Sequence, residues 1–429
     1  MQYRYPSISA VARQRGAAAL LVVVVLFFIL ALVTAYTSRN LIFEQRTSAN
    51  NQRSTQALEV AEAGVEFAVA LLGGGRVDAA CLTTNDTAQN TFRQRYLTQD
   101  TSGTFVADGV QPNLRPTCML LSGGASCSCP VAGAPDLVLP VGLAPTFQVR
   151  FETAGLAQPG IVRVVSKGCS SLGSQCYAGV ATPADAEAEV SVLLGLNSAL
   201  ATPPAAAMTV RGSIDLNGGS IGISNADVPT GGITIDAGGA IVNAANARLS
   251  SLPGTPGSAS LQASDPSLTA LNPDRMFVSL FGMDRATYRS QPAAVRVNCN
   301  GNCAVAIASA VSANPGRIVW VEGNATIDAN QVLGSPAAPV MLFVQGDLTV
   351  AANLEVHGLL YLHASTGSNS WTTNAGTTLV NGAVVAEGNL NVAGAPNVAF
   401  DADVLRTINL THGSMVRVPG SWRDFAAGS

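Results

Sequence analysis

The sequence has few charged residues and a single lysine, Lys167. Asp, Glu, Lys and Arg make up 12% of its 429 residues, about half of the roughly 25% that is usual in soluble domains. The formal net charge is −4. This composition excludes charge-driven disorder, a coiled coil and a basic nucleic-acid-binding protein. We therefore expect no nucleic-acid partner.

Proline and glycine are absent from residues 17–63, and residues 17–33 contain no polar residue. The apolar run is close to the roughly 20 residues that a membrane-spanning helix needs. Residues 1–16 carry three arginines and no acid, which places the N-terminus in the cytoplasm and the rest of the chain outside. A cleaved signal peptide would need a shorter apolar region and an Ala-x-Ala-like exit. A plain membrane anchor would need only the apolar run.

The chain continues beyond this run as an amphipathic helix. Its apolar residues recur at three- and four-residue spacings, whereas Glu59, Glu62 and Glu66 lie off the stripe. Three glycines at 73–75 then end the helix, because glycine accepts the left-handed conformation of a helix cap. We predict one long helix over residues 17–75, with its transmembrane half at 17–36. The stripe consists of Ala57, Leu58, Ala61, Val65, Ala68 and Leu72.

Two short motifs lie near the two ends of this helix. The first is Arg15-Gly16-Ala17, and the second is Ala61-Glu62-Ala63-Gly64. With the long helix and the exported region, they resemble a type IV pilin, and the second motif resembles the Ala-Glu-Ala element of PilX-type minor pilins. The resemblance implies that a prepilin peptidase cuts between Gly16 and Ala17 and removes residues 1–16 as a leader.

One position departs from the pilin pattern. Pilins usually have glutamate at the fifth mature position, where this chain has Leu21. A buried carboxylate there would need a partner, which the N-terminal amine of a neighbouring subunit supplies. By resemblance, its absence is a feature of PilX-type minor pilins and of the K-type minor pseudopilin of type II secretion. It suits a subunit at the filament tip, although a loss without positional meaning is the simpler alternative.

Residues 76–200 contain loops and three runs in which apolar and polar residues alternate. The runs are Thr146 to Thr153, residues 160–166 and residues 187–196. Alternation with period two is typical of half-buried strands. We expect a small antiparallel sheet that packs on the second half of the helix, as in the α+β head of a pilin.

The cysteines are even in number and all follow the apolar run, as in an exported protein with disulfides. Cys169 and Cys176 are placed to close a local loop, and so are Cys299 and Cys303. Sequence leaves three partners open for Cys81, namely Cys118, Cys127 and Cys129. We predict no metal site, because the spacing of Cys127 and Cys129 and the lack of a nearby histidine do not fit zinc.

After a linker at 201–204, the composition shifts to Gly, Ala, Asn, Asp and β-branched residues, and a glycine-led motif recurs. A repeat near 20 to 23 residues predicts a parallel β-helix (β-solenoid) over residues 205–415, in which each coil buries its aliphatic residues against the next. A flat antiparallel sandwich is the alternative. The copies begin at Gly212, Gly232, Gly323, Gly346 and Gly388, with spacings of 20, 91, 23 and 42 residues.

Two segments fall outside the repeat. An insertion at about 251–289 contains proline-rich and helix-like stretches, and we expect it to break the stack. The C-terminal segment 416–429 brings Trp422 and Phe425 to the end of the chain. We interpret it as a cap on the last coil, with a docking peptide as the alternative.

Signs of catalysis are weak. Gly218-Gly219-Ser220-Ile221-Gly222 matches a nucleophile motif but lacks its strand and helix context. A glycan lyase would need carboxylates that bind calcium and a basic residue. The nearest approach to this set is Asp401, Asp403 and Arg406. The histidines suit polar coil edges better than a metal site: they are His357, His363 and His412. We predict no enzymatic activity and no cofactor.

The resemblance implies a minor pilin that acts at or near the tip of a type IV pilus, initiates assembly and presents its β-rich domain for adhesion or twitching. Its partners would be the prepilin peptidase, the major and other minor pilins, and an adhesin-type tip protein. It would cross the inner membrane once before assembly and lie on the cell surface afterwards. The alternatives are a K-type minor pseudopilin and a membrane-anchored β-helix protein that binds or cleaves glycans.

Overall fold

The structure is a computed structural model that describes residues 15–100, 102–107, 115–131, 144–153, 158–170, 186–217, 220–299, 301–364 and 367–424. Seven α-helices lie in these ranges. They are α1 (Arg15–Leu72), α2 (Phe92–Tyr96), α3 (Pro266–Thr269), α4 (Pro273–Phe281), α5 (Arg285–Ser290), α6 (Ala304–Ala313) and α7 (Ala402–Thr411).

The strands fall into an N-terminal group and a longer C-terminal group. The first is β1 (Leu97–Gln99), β2 (Phe105–Ala107), β3 (Thr117–Leu121), β4 (Gly124–Ser128), β5 (Thr146–Thr153), β6 (Ile161–Cys169) and β7 (Glu187–Ser198). The second is β8 (Met208–Val210), β9 (Ile214–Asp215), β10 (Gly222–Ser224), β11 (Ile235–Ala237), β12 (Ile241–Val242), β13 (Arg248–Ser250), β14 (Leu261–Gln262), β15 (Ala294–Asn298), β16 (Gly301–Asn302), β17 (Ile318–Glu322), β18 (Ala325–Ile327), β19 (Gln331–Leu333), β20 (Val340–Gln345), β21 (Leu348–Val350), β22 (Leu354–His363), β23 (Ser368–Thr373), β24 (Thr378–Ala386), β25 (Asn389–Ala393), β26 (Asn397–Phe400) and β27 (Gly413–Arg417).

Helix α1 is one continuous helix of 58 residues, about 87 Å long at 1.5 Å per residue. It is the described helix that is long and apolar enough to cross a membrane. It ends at Leu72, before the three glycines, as the sequence predicts. The expected mechanism is wrong, however, because none of Gly73, Gly74 and Gly75 has a positive φ. Gly73 and Gly75 instead lie against the C-terminal domain, where a Cβ on Gly75 would be 2.8 Å from Asn314 Oδ1.

The head is an antiparallel sheet packed on the end of α1. Its strand order is β27-β7-β6-β5-β3-β4, and α1 contacts β5, β6 and β7. The expected strand at Thr146 to Thr153 is confirmed by β5, and β6 and β7 confirm the other two antiparallel strands. Only the last part of α1, from Ala57 onward, packs into this core; residues 18–48 are exposed.

The C-terminal domain is built from parallel strands that wind through three faces. One complete coil runs along β20, then β21, then the first part of β22, and the next coil starts in the second part of β22. Gly358 makes that corner with φ +152°, and a Cβ there would lie 1.8 Å from the Val340 carbonyl oxygen. Because every strand pair of β8–β26 in the described residues is parallel, the antiparallel sandwich is excluded.

The coils do not stack in sequence order, which corrects one expectation. The strands of the first face follow the spatial order β15, β17, β20, β22, β24, β8, β11 and β14. The copy that begins at Gly212 therefore lies next to the copy at Gly388, where Ile214 pairs with Leu390. The segment at 251–289 does not break the stack. Its first part includes β14, which pairs with β11 in the last coil, and its helices lie on the path from β14 to the first coil, at β15.

Two cores flank the first face of this domain. Inward side chains such as Val319, Leu342 and Leu360 fill the interior of the coils. Outward side chains form a second core with α4, α5 and α7, in which Trp320 stacks on Phe343 at 4.9 Å between ring centroids. The helices of the connecting segment thus cover a face that would otherwise expose large apolar side chains.

The C-terminal segment does not cap the last coil, so that expectation is wrong. Strand β27 pairs antiparallel with β7 in the head, from Gly413 opposite Ser198 to Arg417 opposite Leu194. Ser191 and Arg423 then exchange two backbone hydrogen bonds. Backbone pairing with a free sheet edge satisfies more polar groups than contact with a coil end. Phe425 lies outside the described residues.

Candidate functional site

The N-terminal part of α1 presents an uninterrupted apolar surface that no other described residue covers. Leu21 is 66% exposed and Phe27 70% exposed, and large apolar side chains remain exposed as far as Phe43. The first turn of α1 contains Gly16 and Ala17. Exposed apolar area of this size is unfavourable in water. The surface therefore requires a bilayer or neighbouring apolar helices.

The motif at residues 61–64 lies where α1 approaches the head sheet. Ala61 is fully buried, and a Cβ on Gly64 would lie 2.1 Å from Ser166 Oγ. From the sheet side, a Cβ on Gly168 would lie 2.1 Å from the Ala57 carbonyl oxygen. Small residues on both surfaces are therefore required for this close helix-to-sheet contact. Ala63 is partly buried and Glu62 is exposed. The helix-to-sheet contact does not explain why the motif has alanine and glutamate at these two positions.

Disulfides tie the head together. Cys81 is bonded to Cys129 across 48 residues, and Cys118 to Cys127 across 9. The structure thus selects Cys129 from the three partners that sequence left open for Cys81. The buried Arg95 donates to the Cys129 carbonyl oxygen at 2.8 Å and supports this bridge.

The other cysteines lie further along the chain. Cys299 is bonded to Cys303 at the first coil of the parallel domain. Cys169 is disulfide-bonded, and Cys176 lies outside the described residues. In the described part of the chain, no group of three or more His, Cys, Asp or Glu side chains is arranged to hold a metal ion.

Arg93 joins the head to the parallel domain. Its guanidinium donates to the Leu72 carbonyl at the end of α1 (3.1 Å), to the Thr411 carbonyl at the end of α7 (2.8 Å) and to the Gly413 carbonyl at the start of β27 (3.0 Å). Carbonyls at helix ends lack intrahelical partners. One guanidinium therefore satisfies carbonyls at the ends of two helices and at the start of one strand. Burial lowers the pKa of Arg93 to about 10.

A cavity of about 300 Å³ lies beside this joint. His412, which is 1% exposed, lines it together with Arg93 and Phe105. Burial, and then the neighbouring Arg93 charge, lower the pKa of His412 to about 4. Its Nδ1 lies 2.9 Å from Thr411 Oγ1. The joint thus holds a neutral histidine beside a cation at neutral pH.

A second buried polar cluster surrounds Glu387 on the outer side of the first face. Glu387 is 1% exposed and contacts three side chains: Tyr361 Oη at 2.6 Å, His363 Nδ1 at 2.7 Å and Arg285 Nη2 at 2.9 Å. Burial and the Glu387 charge raise the pKa of Tyr361 well above its usual range. Full pairing of a buried carboxylate is what its desolvation requires.

No role could be assigned to Arg93, Glu387 or Arg285 from the sequence. A usable signal existed for Glu387, since it follows an apolar strand at the same repeat position as His363. No local signal marks Arg93, whose acceptors lie up to 320 residues away. His357 lies beside Glu355, with Nε2 3.0 Å from the carboxylate. Asp403 pairs with Arg406 on the exposed side of α7.

Comparison with known families places the N-terminal region. A helix that is apolar and exposed at one end and packed on an antiparallel sheet at the other defines a pilin-like arrangement. The PilX N-terminal family model matches residues 15–66, which covers the exposed part of α1 and the first part of its contact with the head sheet. The N-terminal region is therefore PilX-like, and the protein is type IV pilin-like.

Other comparisons add little. The competence-associated pilin ComZ from Thermus thermophilus is a solved structure similar to this chain at 10% sequence identity, with 86% of this chain and 97% of that one covered. The TM-score is 0.21, too low to support an argument about the fold. No curated protein matches the chain significantly.

Proposed function

We propose that the protein is a PilX-type minor pilin of a type IV pilus, processed by prepilin peptidase and assembled at or near the filament tip. The observation that carries the proposal is the exposed apolar half of α1, which is continuous with the half that packs on the head. Before assembly, this half lies in the inner membrane as a single pass. During assembly it exchanges lipid for neighbouring pilin helices, so that its transfer costs little net apolar exposure.

We further propose that the parallel domain is a right-handed β-solenoid that extends from the head and contacts other minor pilins, an adhesin-type tip protein or a surface glycan. Parallel pairing through three faces and an aliphatic interior support this assignment. The head and Arg93 would hold it in a fixed position relative to α1. Its role is structural or adhesive rather than enzymatic.

Processing is tested by the N-terminal sequence of the protein from sheared surface filaments and from inner membranes. Filament protein that begins at Ala17 is the expected result, and Gly16→Asp should leave a full-length, membrane-bound protein that is excluded from pili. Gly123→Ala, a glycine with open space around its Cβ position, is the control and should be processed normally. Normal piliation with Gly16→Asp, or an intact Met1 in filaments, would contradict the proposal.

Tip placement is tested at Leu21. A glutamate at this position is expected to pair with the N-terminal amine of a neighbour and admit the subunit to the filament shaft, which raises its copy number per filament. Leu21→Gln, which is polar but uncharged, is the matched control. Quantitative mass spectrometry of purified filaments measures the ratio to major pilin. Equal ratios for both variants would argue that Leu21 has no positional meaning.

The contribution of the parallel domain is tested by replacing residues 199–412 with Asn-Gly, which joins the paired residues Ser198 and Gly413 by a two-residue hairpin. Formation of the Cys81–Cys129 disulfide reports a folded head. Retained pili with lost attachment would assign adhesion to the domain, whereas loss of pili would assign it to assembly. A strain that lacks the protein, still twitches and fails to export enzymes would instead support a K-type minor pseudopilin.

A further inference from the structure

A row of polar side chains crosses the outer side of the parallel domain, at the carboxyl ends of its first-face strands. Glu322 pairs in register with Gln345, and Gln345 with His363. Glu387 and Arg211 follow at the equivalent position of the next two coils. Adjacent strands are about 4.8 Å apart, so the row presents one polar group per coil at a regular interval. The aromatic residues Trp320, Phe343 and Tyr361 lie two positions earlier on the same strands.

The connecting segment closes one side of this row. Together they line a cavity of about 480 Å³, which is within the usual range for small-ligand sites. Its lining includes Asp284, Arg285 and Arg289 from the segment and Trp320, Gln345 and His363 from the coils. The cavity is built from three coils and two helices, and its lining includes neither a residue of α1 nor Arg93.

Two side chains at this cavity, His363 and Gln345, have hydrogen-bonding capacity left. Glu387 holds Nδ1 of His363, which leaves Nε2 without a partner among the described residues. The Gln345 amide, which also lines the cavity, has no hydrogen-bond partner among the described residues. Side chains that line a cavity with free donors and acceptors are typical of a binding site rather than of a solvated surface.

The charge balance selects the chemical class of ligand. Asp274, Asp284, Glu322 and Glu387 outnumber Arg211, Arg285 and Arg289 here. Arg285 and Arg289 are already paired with carboxylates, and Arg211 donates to the carbonyls of Glu387 and Leu271. An anionic ligand is therefore disfavoured. Amide, imidazole and carboxylate groups together donate and accept, which matches hydroxyl groups that do both.

We propose that this cavity binds an uncharged sugar of a surface glycan. The inference rests on the proposed outward display of the parallel domain, and it names the ligand class for that surface. His363 and Gln345 supply hydrogen bonds from the coils, and Asp284 supplies an acceptor from the connecting segment. Glu387 is a positioning residue that fixes the imidazole and the Arg285 guanidinium.

The test uses the full chain in micelles of a detergent without a sugar headgroup. Binding is measured by biolayer interferometry to immobilised neutral oligosaccharides of glucose, galactose and N-acetylglucosamine, and to matched sialylated and uronic-acid oligosaccharides. At least one neutral glycan should bind, and Gln345→Ala should weaken that binding about tenfold or more. Asp284→Ser, which keeps the α5 N-cap type, should also weaken it. Gln331→Ala, on a different face of the same domain, is the matched control and should bind like the unmodified protein.

Absence of binding to every neutral glycan, preference for the acidic ones, or equal binding by Gln345→Ala and Gln331→Ala would overturn the proposal. The purified protein needs no filament for this measurement. Glycan binding together with an unprocessed N-terminus would therefore contradict the pilin function and leave the sugar site standing. A processed pilin that binds no glycan would contradict the sugar site and leave the pilin function standing.

Discussion

The head and the parallel domain stabilise their sheets in different ways. In the head, one sheet face covers the end of α1, and the other carries ion pairs such as Arg150 with Glu152 and Glu189. In the parallel domain, the first face is buried on both sides, by the coil interior and by the helices. The head has two of the three fully described disulfides, whereas the parallel domain has one, at its first coil.

The difference shows how register is specified in each region. In the head, a one-residue slip would move Val164 and Val192 from the core to the charged face. In the parallel domain, aliphatic residues are buried in every coil, and glycine corners such as Gly358 and Gly382 fix where each strand bends. Alternation and disulfides thus specify the strand register in the head. Close backbone contacts at the corners specify it in the parallel domain.

The largest expected effect comes from glycines without room for a side chain. Gly168→Ala in the head and Gly358→Ala in the parallel domain should each lower the free energy of unfolding by about 4 kcal/mol or more, since the new Cβ would overlap backbone atoms. Gly123→Ala should stay within about 0.5 kcal/mol. Denaturant unfolding in micelles measures all three. Equal stability of Gly168→Ala and Gly123→Ala would show that the helix-to-sheet contact is looser than described.

The next largest expected effect is the loss of stability on removal of disulfides, which should differ between the head and the parallel domain. Replacing both cysteines by alanine should cost about 4 kcal/mol for Cys81–Cys129, about 3 for Cys118–Cys127 and about 2 for Cys299–Cys303, because longer closed loops restrict the unfolded chain more. The loops span 48, 9 and 4 residues. Unfolding under oxidising conditions gives the ranking. A larger loss of stability for the 4-residue loop than for the 48-residue loop would mean that native contacts, and not loop length, determine the contribution of each disulfide.

Arg93→Met tests whether the two regions unfold together. It leaves the three carbonyls of the joint without their donor, at a cost of about 3 kcal/mol. We expect one calorimetric transition for the unmodified protein and two for the variant. Arg406→Ala, an exposed arginine on α7, should retain one transition. Two transitions in the unmodified protein would show that the joint does not couple the regions.

Acid should act with opposite sign on the joint and on the parallel domain. The pKa of His412 is lowered to about 4, so its stabilising contribution is complete above about pH 6.5 and is lost as pH falls toward 4, on the order of 3 kcal/mol.

In the parallel domain, burial and the nearby Asp265 raise the pKa of Asp236 to about 6. Its contribution is therefore present below about pH 4 and is lost as pH rises through 6. Unfolding midpoints between pH 4 and 7 should show a flatter acid side for His412→Gln and a gain near neutral pH for Asp236→Asn. Unchanged profiles for both would contradict these assignments.

Local patterns in the sequence predict much of the head. Alternation predicts the bounds of β5, and the glycine run predicts the end of α1 at Leu72. Both signals depend on neighbouring residues only. The stacking order of the coils is different, because the copy at Gly212 has the same aliphatic pattern as every other copy and fits any neighbour. Its partner is decided by the route of the connecting segment, which local periodicity does not encode.

The candidate sites divide in the same way. Gly16, Ala17 and the motif at 61–64 come from short patterns in one helix, and their functional roles stay predictions. Glu387 and Arg93 depend on contacts with α5, α7 and β27, which sequence cannot place. The role assigned to the C-terminal segment is wrong for the same reason, since its partner β7 precedes it by more than 200 residues.

The adjacent positions of Ala199 and His412, joined by a 2.9 Å backbone hydrogen bond, have a mechanical consequence. The polypeptide enters and leaves the parallel domain at one point, through β7 and β27, which are neighbours in the head sheet. When the parallel domain is bound to a surface and pulled, the tension therefore reaches α1 through β7 and β27, which are both pulled from the same end. The covalent path from Ala199 and His412 into the head does not run through the coils. The coils can hold a load without being stretched between two distant anchors.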